Sequence, residues 1–523
     1  MAVFLAALDI TIVTTALPTI ADHFQSTSAF TWVGSAFMLS GAVVAPIWAK
    51  LSDIWGRKSI LLVAVAIFFL GSTLCATAVS LPMLLIGRVT QGVPAGGIVS
   101  LVNIVVGDLF SPRERGKYYA ITGVVWSIAN TLGPLIGGGL TEGASWRWCF
   151  YINLPISGAT FIVIAYMLKL ETPHTPMISG LKAIDWAGTI TLVGGLLMFL
   201  LGLEFGGTSH PWSSATVICL LVFGLAVLAA FITIEWHFAR NPIVPAHLYA
   251  NVHNLAILVI GLVHGAVVTE NTYFLPLYCQ SVLGASPLLS GVLILPFALT
   301  MSTGQVAANN YVKKKGRYLD CIYFGFSVMI LGLGLFYNLP DSRMWPKIII
   351  YQLITGLGIG CLFQPPLIAL QGNLSAQDNA TATSSFFLVR AVANAIGVVI
   401  GSATFANKMD AQQGTLVKLL GASTAQLFSG ASAQANVLKI GTLSSSQRSI
   451  VRQVYWMAIR NIWVVAVCFA AVGILFGLLI RHNDLETTHV EVKMGLAGEE
   501  ARRKILMEWR AGRQQNATEV TAV

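Results

Sequence analysis

Charge is scarce in this chain. Asp, Glu, Lys and Arg make up 10% of its residues, where soluble domains carry about 25%. So few charges cannot keep 523 residues dissolved, which excludes an ordinary soluble enzyme or binding domain. Metal and disulfide frameworks are lacking too. The seven cysteines, at 75, 149, 219, 279, 321, 361 and 468, lie within or at the ends of apolar runs, and none has a CxxC spacing. No phosphate loop, His/Cys metal spacing or nucleophile elbow occurs. Gly92 and Gly96 flank Pro94 inside an apolar run with no strand before it, so a nucleotide loop fails. No enzyme activity, no cofactor and no metal are expected. A cleavable signal peptide is missing as well. Met1 already falls inside the first apolar run, and a chain cut short at its N-terminus is the expectation.

What is present is apolar. Hydrophobic residues make up 55% of the chain, and the mean hydropathy is +0.74. Several runs reach the roughly 18 residues needed to cross a hydrocarbon layer about 30 Å thick. They are continuous, without the period-two alternation of barrel strands, so the spans are helices. The reading is an all-α polytopic membrane protein. Helices are predicted near 2–22, 30–50, 59–79, 82–107, 117–140, 150–169, 184–205, 214–236, 254–277, 288–310, 319–337, 347–368, 381–404 and 461–481. The formal net charge of +9 sits in short loops between them rather than on one face, which argues against a nucleic-acid partner. With the charged turn at 49–61 in the cytoplasm, that side holds Lys50, Arg57, Lys58, Arg113, Arg115, Lys117 and Lys313–Lys315. The opposite short loops hold Arg147, Arg343 and Lys347. This asymmetry predicts both termini inside. The Asn-x-Ser/Thr triplets at Asn373, Asn379 and Asn516 then face the cytoplasm and are expected to be unmodified. Segment 405–460 reads as a long outer loop, partly amphipathic near 448–460. The tail, 482–523, is charged and expected to be loosely ordered.

The chain repeats itself. Residues 128–138 of the fifth predicted helix match 392–402 of the thirteenth, at an offset of 264. At that offset Gly92 and Gly96 meet Gly356 and Gly360, and at 260 Gly56-Arg57 meets Gly316-Arg317. These matches predict two like-oriented six-helix bundles, an arrangement used by alternating-access carriers. The divisions are a first bundle over 1–169, two linking helices over 170–253, a second bundle over 254–481 and a tail. Where the copies differ, Arg88 faces Gln352 and Asp53 faces Lys313, so charge is concentrated in the first bundle.

Few residues can carry chemistry. Asp9 lies about two turns into the first helix, where a charge costs about 2.5–3.5 kcal/mol and needs a cavity or a partner. It is either a proton carrier or a helix-packing carboxylate. Arg88 stays protonated, so it tunes an acid such as Asp9, engages an anion, or clamps helix ends. Glu270 falls within about a turn of the position matching Asp9 and is a second proton candidate. Thr14, Gln91, Asn130, Asn271, Arg390 and Asn394 are the candidate cavity residues; Arg390 and Asn394 share one helix face. Gly133-Pro134 with Gly137-Gly138 permits close approach and a bend, as a packing motif or as a seam between bundles.

Four stretches together resemble the fourteen-helix drug:proton antiporter branch of the major facilitator superfamily, and fungal toxin and multidrug efflux pumps most of all. They are Leu8–Pro18, the turn 49–62 (with Ala49 where Gly is usual), Arg88–Gly92, and Gly133–Gly138; Trp146–Pro155 also matches. The likeness runs to about 481. It implies proton coupling through Asp9 and Arg88, and a conformational latch of Asp53, Gly56, Arg57 and Lys58 with Asp108. It implies export of a small hydrophobic or amphipathic compound in exchange for protons, by a monomer in the plasma membrane or the vacuolar membrane. An importer or vacuolar carrier of siderophores or basic amino acids is the alternative, and a membrane sensor that has lost transport is the alternative of another class.

Overall fold

The computed structural model describes residues 1–170, 173–206, 210–239, 241–244, 246–430, 432–485 and 494–521. Among them there is no strand, only an isolated bridge between Gly206 and His210. The first span is α1 (Ala2–Ile12), continued by a 3-10 turn and by Leu17–His23. The first bundle continues through α2 (Thr27–Trp55), α3 (Arg57–Ala76), α4 (Leu81–Leu109), α5 (Arg115–Gly143) and α6 (Asn153–Met167). Two linking helices follow, α7 (Trp186–Phe205) and α8 (Ala215–Thr233). The second bundle holds α9 (Val252–Ser281), α10 (Leu295–Lys315), α11 (Tyr318–Phe336), α12 (Trp345–Cys361), α13 (Asn379–Ala411) and α14 (Ser445–Gly477). A last helix, α15 (Gly495–Thr521), belongs to the tail. Eleven described helices are long and apolar enough to cross a membrane, and large apolar side chains such as Leu70, Ile162, Phe223 and Leu475 stay exposed on their outer faces. That is the surface a lipid solvent requires.

Local chemistry explains where helices start. The Ser80, Asp185 and Ser214 side chains accept from Met83, Gly188 and Val217 backbone N–H groups, satisfying donors a helix start leaves open. Ser444 and Gln447 form a reciprocal capping box that begins α14. The charged turn shrinks to one residue: α2 ends at Trp55, α3 begins at Arg57, and Gly56 between them has φ +90°. Its repeat, Gly316 between α10 and α11, has φ +75°. Both positions need glycine because a Cβ strains a backbone with positive φ.

The two bundles pack by one recipe. Gly92 and Gly96 of α4 lie against Ser40 and Gly41 of α2; Gly356 and Gly360 of α12 lie against Phe297, Thr300 and Met301 of α10. Gly133 of α5 meets Thr11 of α1, and Gly397 of α13 meets Ala266 of α9. The linking helices bury Leu192, Leu196, Leu200 and Phe231 with Val43 of α2, and Leu388 and Val392 of α13 pack on that cluster. They therefore sit beside a place where the bundles meet.

Two regions differ from the sequence expectation. Segment 405–460 begins as the end of α13, continues in short helices, and its amphipathic part runs unbroken into α14, a helix of 33 residues. Tyr455 donates to the Ala433 carbonyl at 2.6 Å and meets the Phe405 ring edge-on, so the amphipathic face is buried by this segment rather than by lipid. The tail departs too: α15 packs on α2.

Candidate functional site

Asp9 and Arg88 face each other across the first bundle. The Arg88 guanidinium donates to Asp9 Oδ2 at 2.6 Å, and the two residues are 2% and 0% exposed. Asp9 Oδ1 also accepts from Gln91 Nε2 at 3.2 Å and from Asn153 Nδ2 at 2.6 Å. Arg88 donates further to the Val33 carbonyl at 2.9 Å and to Gln91 Oε1 at 3.0 Å, and lies 4.3 Å over the Phe37 ring. Gln91 in turn donates to Ser72 at 2.8 Å. Five helices thus converge on one buried ion pair. Removing either charge leaves the other unpaired in apolar surroundings, a cost of about 3–5 kcal/mol. An arrangement of this kind links the charge on one acid to the packing of several helices.

The structure brings together Asp9, Arg88 and Gln91 from the sequence candidates and leaves others apart. Thr14 is exposed and donates to the Thr11 carbonyl at 2.6 Å. The Asn130 and Pro134 side chains lie outside the described residues. Glu270 lies in the other bundle, fully buried, with no hydrogen-bond partner for either carboxyl oxygen. Beside it Asn271 donates to the Val267 carbonyl at 2.8 Å. Arg390 lies 4.6 Å over the Phe363 ring and donates to the Phe363 carbonyl at 3.3 Å. His264 stands edge-on to that ring, and the Asn394 amide reaches the Gly265 carbonyl and the Thr269 hydroxyl. Gly133 and Gly137 hold α5 against Thr11, Ile12 and Thr15, whereas Gly138 faces open space. Gly133 and Gly137 therefore form a seam inside the first bundle, because α1 is the helix they touch.

The charged end of the first bundle holds a second network. Arg57 pairs with Asp53 of α2, donates to Asp108 of α4 at 2.7 Å and to Ser52 at 2.6 Å. Lys58 donates to the Ala165 carbonyl of α6 at 2.7 Å. Gly56 makes this possible by ending α2 and starting α3 at once. Nearby, polar contacts cross between the bundles. Arg113 donates to the Lys313 and Lys314 carbonyls at 3.1 and 2.9 Å. Arg115 donates to Gln371 at 3.2 Å and to the Gly107 carbonyl at 2.6 Å. Tyr119 and Gln371 lie 3.1 Å apart, and Gln371 donates to Thr383 at 2.8 Å. The structure is therefore closed at the charged end.

Sequence reasoning missed Asn153, Ser72, Gln371 and Tyr119 as partners. Asn153 sat in a stretch already singled out, Trp146–Pro155; the others carried no signal. Among the described residues no group of His, Cys, Asp and Glu could hold a metal.

Comparison with known proteins agrees in kind. The family model described as Major Facilitator Superfamily matches residues 1–398. The chain is 47% identical over 496 residues to the efflux pump dotC of Dothistroma septosporum, covering 95% of this chain and 84% of that protein. It is 43% identical to the MFS-type transporter ppz2 of Metarhizium majus, covering 96% and 87%, and 35% identical to the efflux pump FUS6 of Gibberella moniliformis, covering 96% and 89%. Among solved structures, the human organic anion transporter MFSD10 overlays with a TM-score of 0.55 at 17% identity, covering 92% of this chain and 98% of that one. The proton:xylose symporter XylE gives 0.52 at 13%, covering 90% and 92%. At those identities the likeness is one of fold.

Proposed function

Since the chain belongs to the Major Facilitator Superfamily of transporters, we propose that it is a proton-coupled exporter of small hydrophobic or amphipathic organic compounds, working by alternating access. The buried Asp9–Arg88 pair carries the coupling half of this reading. Relatives named as efflux pumps, matched over nearly the whole chain, support the export half. The excess of basic residues at the charged end supports an orientation with that end, and both termini, in the cytoplasm; the plasma membrane is the site proposed, and the monomer the working unit.

In this orientation the structure is closed to the cytoplasm. Asp9 is engaged by Arg88, Gln91 and Asn153. A proton on Asp9 removes the charge Arg88 faces, so the five-helix cluster relaxes and the bundles favour another arrangement. The Asp53–Arg57–Asp108 network latches the closed form at the charged end. Glu270, buried without a partner, is the second proton site of this scheme. Arg390, Asn394, Gln91 and Asn271 are assigned to the inner surface where cargo and coupling meet.

The test is transport by purified protein in vesicles with an imposed pH gradient. Gradient-driven export of a fluorescent amphipathic compound is expected from the parent. Asp9→Asn should reduce it to the level seen with a proton ionophore, with the protein still present in the membrane at parental amount. Export by that variant at the parental rate would remove Asp9 from the mechanism.

A further inference from the structure

One turn of the tail helix α15 touches both bundles. Glu499 accepts from Lys50 of α2 at 2.5 Å, and Arg502 pairs with Asp53 of α2 at 2.5 Å and with Glu499 at 3.0 Å. On the other side, Arg502 Nε donates to the Gln377 carbonyl at 2.9 Å, and Gln377 Nε2 donates to the Gly498 carbonyl at 3.3 Å. Gln377 lies in the 3-10 turn Ala376–Asp378 that leads into α13 of the second bundle. Lys50, Asp53 and Glu499 are all buried, and Leu506 is buried one turn further on. Burial alone would lower the proton affinity of Arg502, but Asp53 and Glu499 more than offset it and hold the guanidinium above its ordinary range.

The charges are matched in kind and order. Lys50 and Asp53 lie one turn apart on α2, and Glu499 and Arg502 lie one turn apart on α15, each facing its opposite. A pattern of two alternating charges fixes register, because a slip of one turn sets like charges together. Asp53 is shared: it holds Arg57 of the latch on one side and Arg502 of the tail on the other. These contacts can coexist only while α2 and the start of α13 lie side by side.

We propose that Lys50, Asp53 and Gln377 form a docking site for the chain's own C-terminal helix, which straps the two bundles together at the charged end and must leave before they part there. The inference rests on the alternating-access reading but not on the cargo or the coupling ion.

The experiment uses full-length protein in nanodiscs with its native cysteines replaced and Thr383→Cys as reporter. Thr383 is fully buried beneath the Tyr119–Gln371 contact between bundles. Reaction with a water-soluble maleimide then measures how often that seam opens. Arg502→Ala and removal of 495–523 should each speed labelling about tenfold, the factor that about 1.4 kcal/mol of lost closure produces. Glu499→Lys should do the same, and adding Lys50→Glu to it should restore slow labelling. Labelling that is as slow in Arg502→Ala and in the deletion as in the parent overturns the proposal, as does a charge swap that fails to restore it. Size-exclusion profiles and melting temperatures accompany each variant, and the swap distinguishes a lost strap from general loosening. Labelling needs no cargo or gradient. A failure of the Asp9→Asn export test therefore leaves this result standing, and unchanged labelling leaves export standing.

Discussion

Asp9 shows what a single side chain can announce. An acid inside an apolar run demands a partner, and Arg88, in another apolar run, was legible for the same reason; Gln91 was legible as a cavity residue, not as a partner of Asp9. Asn153 was not legible, because its bond to Asp9 joins residues 144 apart in sequence, and an Asn near a helix start has bland alternatives. Glycines behave in the same way: the motif was visible, but which of its members touches a neighbour was not. Gly133 and Gly137 abut α1, while a Cβ on Gly138 would meet nothing within 4 Å. Gly133→Val should therefore overpack the α1–α5 seam, a cost of about 1–3 kcal/mol, and lower the melting temperature in detergent. Gly138→Ala, in the same helix and of the same motif, should melt with the parent. Equal melting of the two variants would show that α5 does not press on α1 here.

At the scale of the element, apolar periodicity carried nearly all the information. Every predicted span corresponds to a described helix or a broken pair of helices, because a bilayer leaves little alternative to satisfying backbone groups within each segment. The ends were harder to read. The amphipathic half of α14 was read as part of the outer loop, since nothing in one dimension shows that Phe405, Phe428 and Ala433 cover it. The turn between α2 and α3 was read as thirteen residues and is one. Gly56 has φ +90° and ψ 145°, a region open essentially to glycine alone, where another residue costs about 1–3 kcal/mol. Gly316 has φ +75° and ψ 0°, close to the left-handed region that Asn tolerates. Gly56→Ala should thus impair the closed state and transport, whereas Gly316→Asn should be close to silent, as vesicle export at matched protein level would reveal. Silence in both would mean that the backbone at Gly56 carries no strain in the working protein.

On the scale of the whole molecule, the repeat was legible because glycines that set helix contacts recur at one offset, and those contacts recur in space. The tail was not legible, since a charged segment with few apolar residues has the composition of disorder, and only the juxtaposition of Lys50, Asp53 and Gln377 gives it somewhere to bind. Both facts bear on one motion. If the bundles rock as rigid halves, the ends joined by Arg113 with Lys313 and Lys314 must separate in every cycle. Cysteines at Arg113 and Lys314, in a background without the native seven, can be joined by a short reducible thiol cross-linker. Cross-linked protein should lose gradient-driven export, regain it on reduction, and keep its melting temperature throughout, because the link spans a contact that the closed form already makes. Each single cysteine treated alike should transport at the untreated rate. Export that persists at full rate with the link in place would mean that the charged ends never part, and the two-bundle rocking account would fall with it.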